Sequence, residues 1–367
     1  MSRSREGDRI TDVVGLGVGH HHRIESAAGW ATGTTVVRLS GVGDRVPMVA
    51  VDVRGGGPGT RETDLLDPSN TVQTAHAIVL TGGSAYGLAA ADGVMSVLEY
   101  EGAGLVMDEA QHTGERSDGA VRVVPIVPAA VIFDLPVGAW HARPNAEFGA
   151  RAATAAAVDF EVGSVGAGTG ARAGALKGGV GTAAVRIADG PAAGVTVGAL
   201  MVANPVGAVL DPETGLPWDA TEAALNQWGL RPPVSAEVAT LAELAEKSTV
   251  LNTTIGVVAT DADLDAAMTR RVAMAAHDGL ARAIRPAHSP LDGDTVFAVS
   301  TGGVAPPDEQ VPVPPGMYPA VAVLSEVCRH AAEVVQRAIV DAVVSATSLA
   351  GLPAYRDVAP SAFAPPE

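Results

Sequence analysis

Short apolar runs broken by glycine-rich turns fill the first two-thirds of the chain, and long stripes at helical spacing take over in the last third. Residues 10–19 (ITDVVGLGVG) alternate apolar and small positions into a glycine-rich turn, while 34–39 and 47–53 read as strands. A backbone-permissive loop, Arg54 to Thr60, and an acidic segment, Glu62 to Asp67, lead to the apolar run His76 to Leu80. A helix is predicted from there to about Tyr100, with Leu88, Ala91, Met95 and Leu98 on one face. Residues 123–135 suggest another buried strand, its prolines tolerated only near its start or at an edge. A short Ala-rich helix is expected over Ala150–Val158, and strand-like runs over Val195–Leu210 are interrupted by Asn204-Pro205. Residues 211–249 read as a peripheral connector, with weak helices around 220–228 and 235–247. Beyond it, Val250–Thr260 forms the central apolar run, in which Ile255, Val257 and Val258 are strand formers. Asp263 is a plausible cap for a helix carrying Leu264, Met268, Val272 and Ala275. A strand at 295–300 and a long helix at 320–347 close the pattern, and no fixed-period repeat is present. Strands and helices mix without a strict alternation, which fits sheets layered between helices.

Composition sharpens this picture. The 367 residues include 43 glycines and only 4% aromatics, so helices must pack closely on sheets through small side chains. The net charge of −17 argues against nucleic acid or an anionic membrane as partner. A single cysteine, Cys328, permits no internal disulfide and no cysteine-rich metal cage, and its helical position reads as a buried, inert thiol. The N-terminus has no apolar signal core and no run is long enough to span a bilayer, so the cytoplasm is the expected location.

Several familiar motifs fail on inspection. Gly82-Gly83-Ser84-Ala85-Tyr86 lacks the closing glycine of a nucleophile elbow, leaving Tyr86 as a pocket candidate. Lys177 is followed by glycine instead of Ser or Thr, so the glycine-rich 163–182 stretch is no phosphate loop. Gly15, Gly17 and Gly19 are too closely spaced for a dinucleotide fingerprint. His20-His21-His22 reads as a turn or surface run in preference to a metal site, because neighbours on an extended segment point to opposite faces. Neither a metal nor a cofactor is expected.

What remains is a dispersed set around Thr253, a hydroxyl at the start of the central strand and directly after Asn252. Attack of its Oγ on the Asn252 carbonyl gives an ester, and water then releases the upstream chain. The freed α-amine, with a reference pKa of about 7.7–8.0, can serve as the base for its own hydroxyl. Lys177 is a candidate positive charge near that amine, and Asn204 a candidate amide donor to an oxyanion. Asp292 and Asp294, either side of Gly293, could hold an ammonium. Each of these residues also has an ordinary reading, as a solvated lysine or as turn residues.

In order and spacing these segments resemble the self-processing aminopeptidases that include L-aminopeptidase/D-esterase (DmpA), the β-peptidyl aminopeptidases and the nylon-oligomer endo-hydrolase. The matching stretches are residues 51–68, 80–94, 173–183, 202–211, 251–262 and 289–301. The resemblance implies an α+β fold, an αββα sandwich of the N-terminal-nucleophile type, cut into chains 1–252 and 253–367 and assembled as a tetramer of such heterodimers. It makes Thr253 the nucleophile, Lys177 and Asn204 its active-site lysine and asparagine, and Asp292 and Asp294 its acidic pair. Asn–Thr at the scissile bond is closer to the nylon-hydrolase branch, yet Phe133 stands where that branch carries an active-site tyrosine, which makes Phe133 and its neighbour Asp134 pocket candidates. The implied activity is hydrolysis of small peptides or amides. The alternatives are endo-hydrolysis of 6-aminohexanoate (nylon) oligomers, then an acetyltransferase on a related self-cleaving fold or an uncleaved binding protein.

Overall fold

The computed structural model describes residues 2–3, 8–43, 45–107, 122–218, 220–245, 252–304 and 312–363. The first half of the chain forms β1 (Leu16–Glu25), β2 (Trp30–Leu39), β3 (Met48–Val53), β4 (Thr60–Arg61), β5 (Ala77–Thr81) and β6 (Ala129–Val131), with helices α1 (Ala90–Tyr100) and α2 (Ala146–Thr154). The second half begins with a short hairpin, β7 (Arg172–Ala173) and β8 (Leu176–Lys177), followed by β9 (Gly179–Arg186) and β10 (Thr196–Ala203). Helices α3 (Glu222–Trp228) and α4 (Ser235–Ala245) lie in the connector. Then come β11 (Ile255–Ala262), α5 (Ala266–Ala283), β12 (Thr295–Val304) and α6 (Val321–Val344).

Strands in the order β1-β2-β5-β6-β4 make one sheet, and β9-β10-β11-β12-β3 make the other. The central strand of the second sheet, β11, runs antiparallel to β10 and parallel to β12. Its side chains alternate between two cores. Ile255, Val257 and Ala259 face the other sheet and meet Ile78, Leu80, Leu200 and Phe297, whereas Val258 joins Val272, Leu280, Val335 and Ile339 beneath α5 and α6. Helices α1 and α2 cover the far side of the first sheet through Val94, Leu98 and Ala152. The order of layers is therefore αββα, and burial on both faces explains the unbroken apolar sequence of β11. Each fully buried Val, Leu or Ile contributes about 1.5–3 kcal/mol to these cores.

Small residues set the layer spacing. A Cβ at Gly181 would lie 2.1 Å from the Ala338 carbonyl oxygen, and one at Gly279 would lie 2.0 Å from that of Ala332. The glycine content is thus used where α6 crosses β9 and α5.

Several element boundaries differ from the sequence pattern. The 10–19 stretch does not end in a turn: after a short 3-10 helix the chain runs on as β1 through all three histidines. His20-His21-His22 is therefore a strand segment and not a turn, half-buried, with the His20 ring held between Thr35 Oγ1 and the Glu161 carbonyl. Prolines 125 and 128 cannot donate to a ladder, so the 123–135 run is strand only at Val123–Val124 and Ala129–Val131. Asn145 accepts from Phe148 N and starts α2 four residues before the expected helix. Asp265, not Asp263, caps α5. The expected end of the 235–247 helix at Lys247, and Val250–Leu251 of the central run, lie outside the described residues.

Candidate active site

Strand register brings the dispersed residues together at the leading end of β11. The β10 pairing, Val202 opposite Ile255, continues so that Thr253 N donates to the Asn204 carbonyl at 2.7 Å. On the other side the parallel β12 pairing, Ile255 opposite Thr295, continues to a bridge between Asn252 and Asp292. Gly293 thus stands beside Thr253, and a Cβ there would lie 3.0 Å from its Oγ1. Thr253 is buried, and its Oγ1 lies 2.5 Å from the carbonyl oxygen of Asn252. The Thr253 hydroxyl thus donates to the carbonyl of the residue directly before it.

Asn204 is held in one orientation. The Arg172 N–H donates to its Oδ1 at 2.8 Å, which fixes that atom as the oxygen and leaves Nδ2 buried with no hydrogen-bond partner among the described residues. An unengaged amide donor in the interior carries a desolvation cost of about 1–3 kcal/mol, and this one is free to donate to an incoming acceptor.

Lys177 follows from the same hairpin, where it pairs with Arg172. Its side chain is fully buried, and Nζ donates to the carbonyls of Gly168, Ala171 and Gly178 at 2.6, 3.0 and 2.8 Å. Burial pushes its pKa from 10.5 down to about 7, with the Asp134 carboxylate opposing the shift. When Lys177 is protonated, all three ammonium protons have backbone acceptors, one of them the carbonyl of Ala171 next to Arg172, whose N–H holds Asn204.

In the continuous chain each carboxylate is held by backbone donors at its own place in the turn. Asp292 accepts from Val206 N and Ser289 N, both at 3.1 Å, and Asp294 accepts from Thr254 N at 2.9 Å. Register is the reason: the acidic residues stand opposite Asn252 and Thr254, on either side of Thr253. Burial, and then the neighbouring charge of Asp294, raise the pKa of Asp292. The glycine loop 54–59 braces this turn. Gly57 N donates to the Asp292 carbonyl, and a Cβ at Gly55 would lie 2.3 Å from Asp294 N.

Comparison with known proteins agrees with this geometry. The model of peptidase family S58 matches residues 8–355. The chain belongs to peptidase family S58. An uncharacterized aminopeptidase of Mycobacterium tuberculosis is 53% identical over 362 residues, covering 96% of this chain and 98% of that protein. A 6-aminohexanoate-oligomer endohydrolase of a Kocuria strain is 31% identical over 325 residues, covering 86% and 79%. The solved L-aminopeptidase D-Ala-esterase/amidase of Ochrobactrum anthropi, a variant of the Ntn hydrolase fold, superposes with a TM-score of 0.62 at 21% identity, covering 96% and 89%. The αββα arrangement is thus the Ntn-hydrolase-like fold of this S58 family, and the protein is a hydrolase.

The remaining candidates of this S58 chain lie further out. Phe133 is half-buried, and Tyr86 is 57% exposed with the Arg143 guanidinium over its ring. Asp134 does not line open space: it is buried, accepts from Thr32 Oγ1 and Gly83 N at 2.6 Å each, and its pKa is raised by burial. A small cavity of about 80 Å³ is bounded by the β7–β8 hairpin, by residues 206–212, and by Leu241 and Leu244 of α4 in the connector. Among the described residues there is no cluster of three or more potential metal ligands, and no helix is long and apolar enough to cross a membrane. Cys328 is only partly buried, with its thiol pKa raised to about 11 by burial.

Sequence reasoning missed His288. Its Nδ1 lies 2.8 Å from Asp294 Oδ2, and its ring packs edge-on against His277, 4.9 Å between centroids. His277 in turn contacts the Asp52 carbonyl at 3.0 Å, and burial lowers its pKa to about 4. The one available signal was position: His288 lies four residues before Asp292, at the foot of the same turn.

Proposed function

We propose that this S58 hydrolase is a self-processing aminopeptidase with Thr253 as its N-terminal nucleophile. The observation that carries the reading is the 2.5 Å contact between Thr253 Oγ1 and the carbonyl oxygen of the residue before it. Attack by Oγ on the Asn252 carbonyl carbon forms the C–O bond. The hydroxyl proton passes to the Thr253 nitrogen as the C–N bond breaks, and water hydrolyses the resulting ester to a carboxylate and a free hydroxyl. The products are chains 1–252 and 253–367.

In turnover the free Thr253 amine takes the hydroxyl proton and returns it to the leaving amine. The Asn204 carbonyl, already the acceptor for this nitrogen, orients the amine toward its own hydroxyl. Asn204 Nδ2 stabilises the oxyanion, consistent with its lack of any other partner. Lys177 supplies a buried positive charge that disfavours protonation of the amine, and Asp292 and Asp294 fix the ends of the nucleophile segment. The substrates are small peptides or amides, and assembly as a tetramer of cut heterodimers completes the proposal. The 31% identity to a 6-aminohexanoate-oligomer endohydrolase supports oligomer amides as a second reading, although Phe133 offers no hydroxyl.

Intact-mass measurement tests the reading. The wild-type protein yields two masses that break between Asn252 and Thr253, and Thr253→Ala yields one full-length mass. A wild-type chain that stays whole throughout maturation refutes it.

A further inference from the structure

The uncut chain carries a candidate acyl residue at its own site. If Thr253 matures by attacking the Asn252 carbonyl, the ester that forms is chemically an acyl-enzyme whose acyl residue is Asn252. We propose that the space held by Asn252 is the acyl-residue subsite of the cut enzyme, and that it selects substrates whose acyl residue bears a short carboxamide side chain. This inference rests on the nucleophile assignment above and goes beyond it in naming the substrate class.

Four observations define the subsite. Asn252 is only 4% exposed, so its side chain occupies an enclosed space. Its Nδ2 donates to the Pro205 carbonyl at 2.8 Å within the buried interior. Its backbone N–H donates to the Leu291 carbonyl at 3.4 Å, and its backbone bridges Asp292 in parallel register. Each of these recognition groups is backbone, from segments that also position Thr253. Pro205 follows Asn204, and Leu291 precedes the Asp292–Asp294 turn. The subsite and the nucleophile are thus built from one frame, and that frame does not change when a single peptide bond is cut.

The cut also supplies a reason for Asn252 to leave. Hydrolysis of the ester creates a carboxylate beside Asp292 and near Asp294, and both side chains are almost fully buried. Like charges in such a place repel strongly. The new chain end withdraws, and the Pro205 and Leu291 carbonyls await donors. An asparaginyl substrate brings both: its carboxamide reaches Pro205 and its amino nitrogen reaches Leu291. Leucine has nearly the shape of asparagine but no donor, so it fills the space and leaves the Pro205 carbonyl unpartnered.

The test compares L-asparaginyl, L-leucyl and L-alanyl p-nitroanilides on the cut wild-type enzyme, and follows the maturation rate of Asn252→Leu by intact mass. Support requires kcat/KM for the asparaginyl compound at least tenfold above both others, together with a comparable slowing of maturation in the variant. Equal or faster hydrolysis of the leucyl compound overturns the subsite and leaves the nucleophile assignment standing. Maturation of Asn252→Leu at the wild-type rate overturns the identity of the two places. A cut enzyme that hydrolyses none of the three removes the functional reading itself, and this inference with it.

Discussion

Replacing Gly293 by alanine adds a single methyl group beside the nucleophile, and the geometry sets the size of the effect. That carbon would lie 2.6 Å from the Gly57 carbonyl oxygen and 3.0 Å from Thr253 Oγ1. Comfortable C···O contacts begin at about 3.3 Å, so the Gly57 carbonyl must retreat by roughly 0.7 Å and the hydroxyl by roughly 0.3 Å. Misplacement of a reacting atom by 1 Å costs about a hundredfold in rate, which puts the loss for this shift on the order of tenfold. Overpacking of this kind destabilises by about 1–3 kcal/mol, leaving the fold intact. Gly57→Ala is the control, because its methyl group finds no atom closer than the Asp292 carbonyl oxygen at 3.8 Å. The assay follows the decay of full-length mass with time in both variants, with thermal unfolding in parallel. Slow maturation in Gly293→Ala and normal maturation in Gly57→Ala are expected. A Gly293→Ala protein that matures at the wild-type rate would mean that Oγ is not held where the register places it.

Three further perturbations probe the same frame. Asn204→Ala is expected to reduce kcat by about a hundredfold to a thousandfold if Nδ2 faces the oxyanion, and a loss of less than about threefold in stopped-assay kinetics argues against that role. In the uncut Thr253→Ala background, Lys177 lies near pKa 7 when folded and 10.5 when unfolded, so the unfolded chain binds the extra proton between those values. Its contribution to stability therefore rises with pH across that window, and Lys177→Met should flatten this part of the stability–pH curve measured by denaturant titration. His288→Ala removes the Nδ1 contact to Asp294, whereas asparagine can keep a donor there and tolerates the positive φ of 55° at this position. Recovery of kcat by His288→Asn relative to His288→Ala, with KM little changed, identifies a positioning residue, and equal loss in both variants speaks against it.

Much of this site was legible because β structure converts sequence spacing into position. Once Ile255–Ala259 is recognised as a central strand, the Asn204-Pro205 break and the Asp292-Gly293-Asp294 turn fall at the ends of its neighbours. What could not be read were interactions that depend on orientation. That Asn204 offers Nδ2, and not its oxygen, follows from the Arg172 N–H, a backbone group with no sequence signature. Asp134 looked like a pocket residue from its neighbour Phe133, but the fold turns it inward onto Thr32 and Gly83. His288 carried no motif, and its importance arises only when the chain brings His277 from α5 against it. The histidine run at 20–22 misled for a related reason: the ladder with β2 continues through it, and His20 turns inward onto Thr35 and the Glu161 carbonyl.

The placement of β11 has a consequence for the life of the molecule after maturation. This strand, entered two residues after Thr253, lies between β10, from upstream of the Asn252–Thr253 bond, and β12, from downstream of it, and β3 returns from upstream to close the edge. Further along, the buried Tyr355 hydroxyl donates to the Gly215 carbonyl in the connector. A cut at Asn252–Thr253 would leave two polypeptides woven through one sheet. Unfolding would then be a dissociation, with a midpoint that depends on protein concentration. The single chain, whose loops first brought the strands into register, would no longer exist to guide their return. Persistence of the mature protein would rest on the height of its unfolding barrier, making assembly an event with a direction in time.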